Sequence, residues 1–127
     1  MTIERWVDFW LVDSFTEEPF RGNPAGVVLD AAGLEPPQMR LIAREVGASE
    51  TAFVFPPSQP GADLSLRWFT PTCEVPFCGH ATLATAYVLA EAGRYRPPAT
   101  LTAETLSGHL ELRLCPSGEG ACLPMIQ

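Results

Sequence analysis

The sequence has few basic residues and no long apolar run, and each absence excludes a class of protein. Eight Lys and Arg residues stand against 15 Asp and Glu residues, which gives a net charge of −7 at pH 7. An acidic chain of this kind is poorly suited to bind nucleic acid or an anionic membrane. No stretch approaches the roughly 20 apolar residues of a transmembrane helix, and the N-terminal MTIERWVDFW lacks the layout of a signal peptide. The composition therefore predicts a cytoplasmic protein that binds neither nucleic acid nor membrane.

Metal-binding residues are also scarce. The chain has only two histidines, and its four cysteines contain no C-x-x-C pair. Structural zinc sites draw their ligands from closely spaced Cys and His residues, so this spacing argues against zinc. A disulfide framework is not expected either in a chain without an export signal. We therefore predict no metal site and reduced cysteines.

What the chain does contain is enough apolar sequence for one domain. Of its 127 residues, 46% are hydrophobic, which suffices for a substantial core. Two prolines, Pro36 and Pro37, open a helix that ends before Gly47. The hydrophobic patterns predict strands over residues 6–15, 25–29, 51–55, 64–69, 101–105, 109–114 and 120–125. Because no β-α-β unit repeats in this pattern, an α+β domain is predicted.

A second helix is predicted directly after Cys78-Gly79-His80, and Gly93 ends it. Small residues along it allow other backbone to come close. Leu83, Tyr87 and Val88 place apolar surface around much of the cylinder. We therefore expect a mixed, mostly antiparallel sheet that curls around this central helix, with the helix as the most buried element.

Three short clusters carry candidate functional residues: Gly22-Asn23-Pro24, Ser49-Glu50 and Cys78-Gly79-His80. The backbone N–H groups at the start of a helix form an anion site, which here would surround Gly79 and His80. A carboxylate such as Glu50, with an imidazole opposite, is suited to moving a proton next to a carbonyl. The sequence therefore suggests acid/base chemistry on a carboxylate.

Each of these residues also has a structural interpretation, which their positions alone leave open. Glu50 fits a solvated acid at the start of a strand. Asn23 and Ser49 fit turn residues. His80 fits a side chain that bonds to backbone near a helix start, and Cys78 fits a buried apolar cysteine.

Three longer stretches include these clusters: VDSFTEEPFRGNPAGVVLD, QMRLIAREVGASETAFVF and LRWFTPTCEVPFCGHATLATAYVL. In this order and at this spacing they resemble the phenazine-biosynthesis-like (PhzF) protein family. The resemblance runs from about Trp6 to Met125, which is nearly the whole chain. It implies one half of a diaminopimelate-epimerase-like two-domain fold, in which each half wraps a sheet around a helix and the active site lies between the halves.

The resemblance also implies an activity, namely cofactor-free isomerisation by acid/base proton transfer. The substrate it implies is a small cyclic or amino-acid-like carboxylate of the dihydro-3-hydroxyanthranilate type. Glu50 matches the family's proton-shuttling carboxylate, and His80 matches its active-site histidine. The residues predicted to bind substrate are Gly79, Asn23, Ser49 and Cys78.

Two departures from the family pattern leave alternatives open. No motif after Pro116 matches the family's second half with its further aspartate. Residues 1–127 are therefore expected to form a single domain equivalent to the N-terminal half, completed by a C-terminal half or by a homodimer. Cys78 before Gly-His also suggests an epimerase- or racemase-like activity, although only one such thiol is present. A non-catalytic binding or interaction domain is the third interpretation.

Overall fold

The computed structural model describes residues 7–14 and 23–115, except the side chains of residues 14 and 23. Within this range the chain forms seven strands and two helices. They are β1 (Trp10–Ser14), β2 (Asn23–Val28), α1 (Pro36–Val46), β3 (Glu50–Phe55), β4 (Leu64–Phe69), β5 (Glu74–Val75), α2 (Gly79–Glu91), β6 (Ala99–Thr105) and β7 (Gly108–Leu114). The strand predicted at 120–125 lies outside the described residues, and the two-residue strand β5 was not predicted.

The first helix begins and ends where its local chemistry predicts. Pro36 and Pro37 occupy the first positions of the helix, where a backbone N–H would have no acceptor within the helix. The backbone N–H of Glu35 donates to Oε1 of Gln38 at 2.8 Å, one half of a capping box. Gly47 then adopts φ 75°, a left-handed conformation that ends the helix. The predicted boundaries of α1 are therefore confirmed.

The second helix packs against β1, β2, β3 and β7, so strands lie on several of its sides as predicted. Thr82 and Thr85 are buried on it, and their hydroxyls donate to the carbonyls of Cys78 and Ala81 at 2.6 and 2.7 Å. Two expectations about this helix are wrong. Tyr87 is 54% exposed instead of packed. Seven of the 13 residues of α2 are buried, a smaller share than the four of six in β3, so α2 is not the most buried element.

The sheet is mixed and mostly antiparallel, as predicted. Its order is β1-β2-β3-β4-β6-β7, and β5 pairs with β4 beside this path. Within the described residues, β2–β3 and β4–β6 are parallel pairs, and the other four pairs are antiparallel. Along the chain, a helix connects the two strands of each parallel pair: α1 follows β2 and precedes β3, and α2 follows β4 and precedes β6. The expectation that no β-α-β unit repeats is therefore wrong.

The two helices cover opposite faces of the sheet. Ala52, Leu66 and Trp68 belong to the core under α2, whereas Phe53 and Phe69 belong to a second core with α1. Side chains alternate between the faces of a strand, so β3 and β4 are buried on both sides. Because β2 and β3 are parallel, both start at the same edge of the sheet, and this edge carries the site described below.

The remaining sequence predictions concern membrane and cysteine chemistry. No helix among the described residues is long and apolar enough to cross a membrane. Cys73 is an exposed free thiol and Cys78 a buried one. Cys115 is disulfide-bonded, so the expectation of reduced cysteines does not hold there.

Candidate active site

The start of β3 and the start of α2 bring together the two residues predicted to be catalytic. Glu50 is the first residue of β3 and pairs with Ala25 of β2 in parallel register. Cys78 is the N-cap of α2, which places His80 in its first turn. As a result, His80 Nε2 lies 3.1 Å from Glu50 Oε2. The two side chains converge on one edge of the sheet, although they lie 30 positions apart in the sequence.

The imidazole of His80 has a neighbour at each nitrogen. Its Nε2 also lies 3.4 Å from the Ser49 hydroxyl. Its Nδ1 lies 3.3 Å from Cys78 Sγ. Ser49 Oγ in turn donates to the carbonyl of Pro24 at 3.3 Å, which links the site to the start of β2. These contacts define the orientation of the ring.

Glu50 and His80 are shielded, but they remain reachable. Their side chains are 24% and 12% exposed. Glu50 Oε2 is inaccessible to solvent and makes no hydrogen bond of good geometry within the described part of the chain, so the 3.1 Å approach of His80 is a close contact that is not aligned. Buried polar atoms usually have an aligned partner, and a catalytic role is one explanation for an exception. Glu50 can therefore accept a further proton or hydrogen bond.

The thiol of Cys78 is held in its protonated form. Burial raises its pKa, and the nearby Glu50 carboxylate adds to the rise. The backbone N–H groups of Ala81 and His80 oppose it, as the N–H groups at a helix start stabilise negative charge. Because the thiolate is the nucleophile and the base, a raised pKa makes Cys78 a weak proton acceptor.

The start of α2 is open around Gly79. The N-cap side chain of Cys78 makes no cap hydrogen bond. A Cβ built on Gly79 would meet nothing closer than a ring carbon of Phe77 at 3.9 Å, so neither space nor conformation in this structure requires glycine here. This leaves room beside the helix N-terminus, where an anionic group is favoured.

Of the other predicted site residues, Ser49 joins the site and Cys78 borders it. Asn23 starts β2 opposite Ser14 of β1, but its side chain is not among those that the structure describes. Sequence reasoning missed Phe77, whose exposed ring stands beside the helix start and packs edge-on against Trp68 with ring centroids 5.6 Å apart. The signal that could have identified Phe77 is its place directly before the Cys-Gly-His turn.

Within the described residues, Glu50, Cys78 and His80 are the group that could hold a metal ion, with ligand atoms within 4.8 Å of one another. Their arrangement is not that of ligands around one point. The two nitrogens of His80 face different partners, so the ring lies between the thiol and the carboxylate. The three side chains therefore form a chain of close contacts with the His80 ring in the middle.

A second concave region lies at the other end of the β2–β3 pair and contains none of the predicted site residues. It is a cleft of about 280 Å³ near the end of α2. Arg94 and Asp30 line it and pair with each other through two hydrogen bonds of 2.7 and 3.0 Å. The carboxylate of Asp30 and the guanidinium of Arg94 therefore neutralise each other in this cleft.

The curled sheet, the opposed helices and the contact between a carboxylate and an imidazole define a candidate acid/base site. Comparison with protein families agrees: residues 12–123 match the phenazine biosynthesis-like protein family (PhzC-PhzF). The chain belongs to this family.

Individual relatives support the assignment at two levels. An "uncharacterized isomerase" of Escherichia coli, YddE, is 58% identical over 80 residues, which are 63% of this chain and 26% of the relative. The crystal structure of a PhzF-family protein of Bacillus anthracis superposes on 94% of this chain and 39% of that one, with a TM-score of 0.81 and 42% identity. A hydroxyproline epimerase of Agrobacterium vitis shares the fold at 18% identity, over 76% of this chain and 36% of that one, with a TM-score of 0.59.

The chain thus spans well under half the length of these relatives. The family, the fold and the isomerase class follow from the comparisons. The substrate and the activity of the whole protein do not.

Proposed function

We propose that this chain supplies the proton-carrying half of an isomerase that acts on a small cyclic or amino-acid-like carboxylate. The observation that carries the proposal is the 3.1 Å approach of His80 Nε2 to a buried oxygen of Glu50 at the start of a helix. General acid/base groups act within hydrogen-bond reach of the proton they move, and a shielded carboxylate beside an imidazole is such a group.

In the proposed reaction Glu50 takes a proton from one carbon of the substrate and returns it to another. One C–H bond breaks and one forms, and the electron pair stays in the conjugated system of the substrate. No redox cofactor is therefore required. His80 donates a hydrogen bond to the substrate, and the helix start at Gly79 binds the substrate carboxylate.

The substrate class comes from the family. Phenazine-biosynthesis-like proteins suggest a dihydro-3-hydroxyanthranilate-type ene-amino acid, which carries both a carboxylate and a C–H bond beside a conjugated system. The open helix start beside the Phe77 ring supports a planar acid of this kind. An aromatic face packs well against a conjugated ring.

The site is completed by a second wall, which we propose is a C-terminal half or a second copy of this chain. Proton transfer between carbons needs a closed cleft from which water is excluded. The 127-residue chain alone should therefore bind a carboxylate weakly and turn it over poorly.

The alternative of a Cys78-based epimerase is less well supported, because its thiol has a raised pKa and lies against His80. A thiol that stays protonated is a poor base. Glu50 places a buried carboxylate oxygen 3.1 Å from His80, so we assign the proton transfer to Glu50.

The test is solvent deuterium incorporation into dihydro-3-hydroxyanthranilate, followed by mass spectrometry. The chain is measured alone and joined to the second half of a family member. We expect incorporation by the joined protein and at least tenfold less by the chain alone, since effective catalysis needs both groups positioned. Carboxylate binding by a folded joined protein with no incorporation would instead support a non-catalytic binding domain.

A further inference from the structure

The Cys78 thiol takes no part in the proposed reaction, yet it lies against the residue that does. Cys78 is 8% exposed, and its Sγ is 3.3 Å from His80 Nδ1. On the far side of the same ring, His80 Nε2 is 3.1 Å from Glu50 Oε2. Thiol, imidazole and carboxylate therefore form one continuous chain of contacts.

The chemistry of these groups decides which nitrogen carries the proton when the ring is neutral. A neutral imidazole has one N–H donor and one acceptor nitrogen. Ser49 Oγ lies 3.4 Å from Nε2 and already donates its hydrogen to the carbonyl of Pro24, so it can only accept at this nitrogen. The nitrogen that faces Ser49 and the Glu50 oxygen is therefore the donor. His80 Nε2 then carries the hydrogen, and Nδ1 becomes an acceptor that requires a donor. The group that the structure places at Nδ1 is the Cys78 thiol.

We propose that Cys78 is a positioning residue, whose S–H donates to Nδ1 of His80 and holds the neutral ring in the tautomer that carries its hydrogen on Nε2, the nitrogen on the side of Glu50 and the proposed substrate. The effect of this tautomer on proton transfer rests on the proposed function. The tautomer itself does not rest on it and can be measured without activity.

Three observations on Cys78 support this role. Its thiol is kept protonated by burial, which raises its pKa, so it has a hydrogen to donate. The backbone N–H groups of Ala81 and His80 face the sulfur from the helix side, so its acceptor side is directed to the helix. Its sulfur lies 3.3 Å from Nδ1, within hydrogen-bond reach of a thiol.

The test is the imidazole ¹⁵N spectrum of the ¹⁵N-labelled 127-residue chain, recorded at a pH where the nitrogen shifts of His80 show a neutral ring. We expect an acceptor-type Nδ1 and a protonated Nε2 in the wild type. Cys78→Ala should shift the ring toward a mixture of tautomers. Cys78→Ser, which keeps an O–H donor, should restore the wild-type pattern, and Cys73→Ala should leave it unchanged because Cys73 is an exposed thiol elsewhere.

A wild-type ring protonated at Nδ1 would overturn the proposal, and so would a Cys78→Ala ring that keeps the pure Nε2–H tautomer. The wild-type spectrum alone can refute it, even if Cys78→Ala does not fold. In an exchange-competent joined protein, Cys78→Ala should lower kcat several-fold with KM little changed, and Cys78→Ser should recover most of the loss. The expected tautomer in a protein that exchanges no deuterium would uphold the positioning role and refute the proposed reaction.

Discussion

The two ends of the parallel β2–β3 pair hold their polar groups in opposite ways. At the starting end, Glu50 has a buried oxygen without an aligned hydrogen bond, and His80 approaches it at 3.1 Å. At the other end, Asp30 and Arg94 form two aligned hydrogen bonds while staying 75% and 44% exposed. One end is shielded and incompletely paired, whereas the other is exposed and fully paired.

This difference, more than the shape of the surface, favours the starting end as the candidate site. The cleft of about 280 Å³ lies at the end where Asp30 and Arg94 already pair with each other. A buried polar atom without an aligned partner costs stability, so its persistence favours a role with a ligand. An exposed ion pair contributes little to stability, and here each charge already has an opposite charge beside it.

The largest expected effect separates the two ends directly. In a joined protein with both halves, Glu50→Gln should lower deuterium exchange by a factor of about 10²–10⁴, because an amide cannot act as the proton carrier. The matched variant at the other end, Asp30→Asn, should leave exchange unchanged. Rapid exchange by Glu50→Gln would remove the site from this end of the sheet.

Two glycines distinguish a position kept open for a ligand from one required by packing. A Cβ on Gly26 of β2 would lie 2.8 Å from Val46 Cγ1 and 2.9 Å from Thr51 Oγ1. Gly26→Ala should therefore cost about 1–3 kcal/mol in the free energy of unfolding. Gly79→Ala meets no such contact, so it should leave stability nearly unchanged and weaken the binding of a carboxylate ligand.

Urea unfolding and ligand titration of both variants test this pair. A strongly destabilised Gly79→Ala protein would show that the glycine serves the fold. Unchanged carboxylate affinity in a stable Gly79→Ala protein would show that the helix start is not the anion site.

Thiol alkylation tests how well the starting end of the β2–β3 pair, where the candidate site lies, is shielded from solvent. At neutral pH, peptide-level mass spectrometry should find Cys78 alkylated at least tenfold more slowly than the exposed Cys73, because burial both blocks access and raises the Cys78 pKa. The raised pKa favours the protonated thiol in the folded state. Its contribution to stability is therefore present below the unfolded thiol's value of about 8.5 and is lost as the pH rises through the folded value. Equal alkylation rates would contradict the shielding.

The smallest effect belongs to the exposed end. Asp30→Asn should cost no more than about 1 kcal/mol in the free energy of unfolding, similar to Glu111→Gln, which breaks another exposed pair, with Arg113 at 3.2 Å. Hydrogen bonds from Arg94 lower the pKa of Asp30, so the contribution of the pair is present above the ordinary value of about 3.9 and is lost as the pH falls through the folded value. A cost of several kcal/mol in urea unfolding at neutral pH would show that this end is more than a surface contact.

Local sequence chemistry determined the elements of this protein. The two prolines and Gly47 define α1, because Pro36 and Pro37 need no helical N–H and Gly47 readily adopts a positive φ. The alternation of Leu64–Phe69 defines β4 to the residue. Such signals depend only on neighbours in the sequence. The contents of the candidate site were also predicted, since Glu50 and His80 stand in motifs whose residues carry the family resemblance.

Only the tertiary structure decided how those elements pair and what each site residue contacts. The parallel pairs depend on partners far away in the chain, as where Leu64 of β4 pairs with Ala103 of β6. The short strand β5 depends on a contact between side chains of adjacent strands, in which Glu74 accepts hydrogen bonds of 2.7 and 2.6 Å from Arg67 of β4. In the same way, the contact between Glu50 and His80 exists because the starts of β3 and α2 meet at one edge of the sheet. The sequence determines which residue types are present and their local conformation, but distances between remote side chains arise from packing the two helices on opposite faces of one sheet.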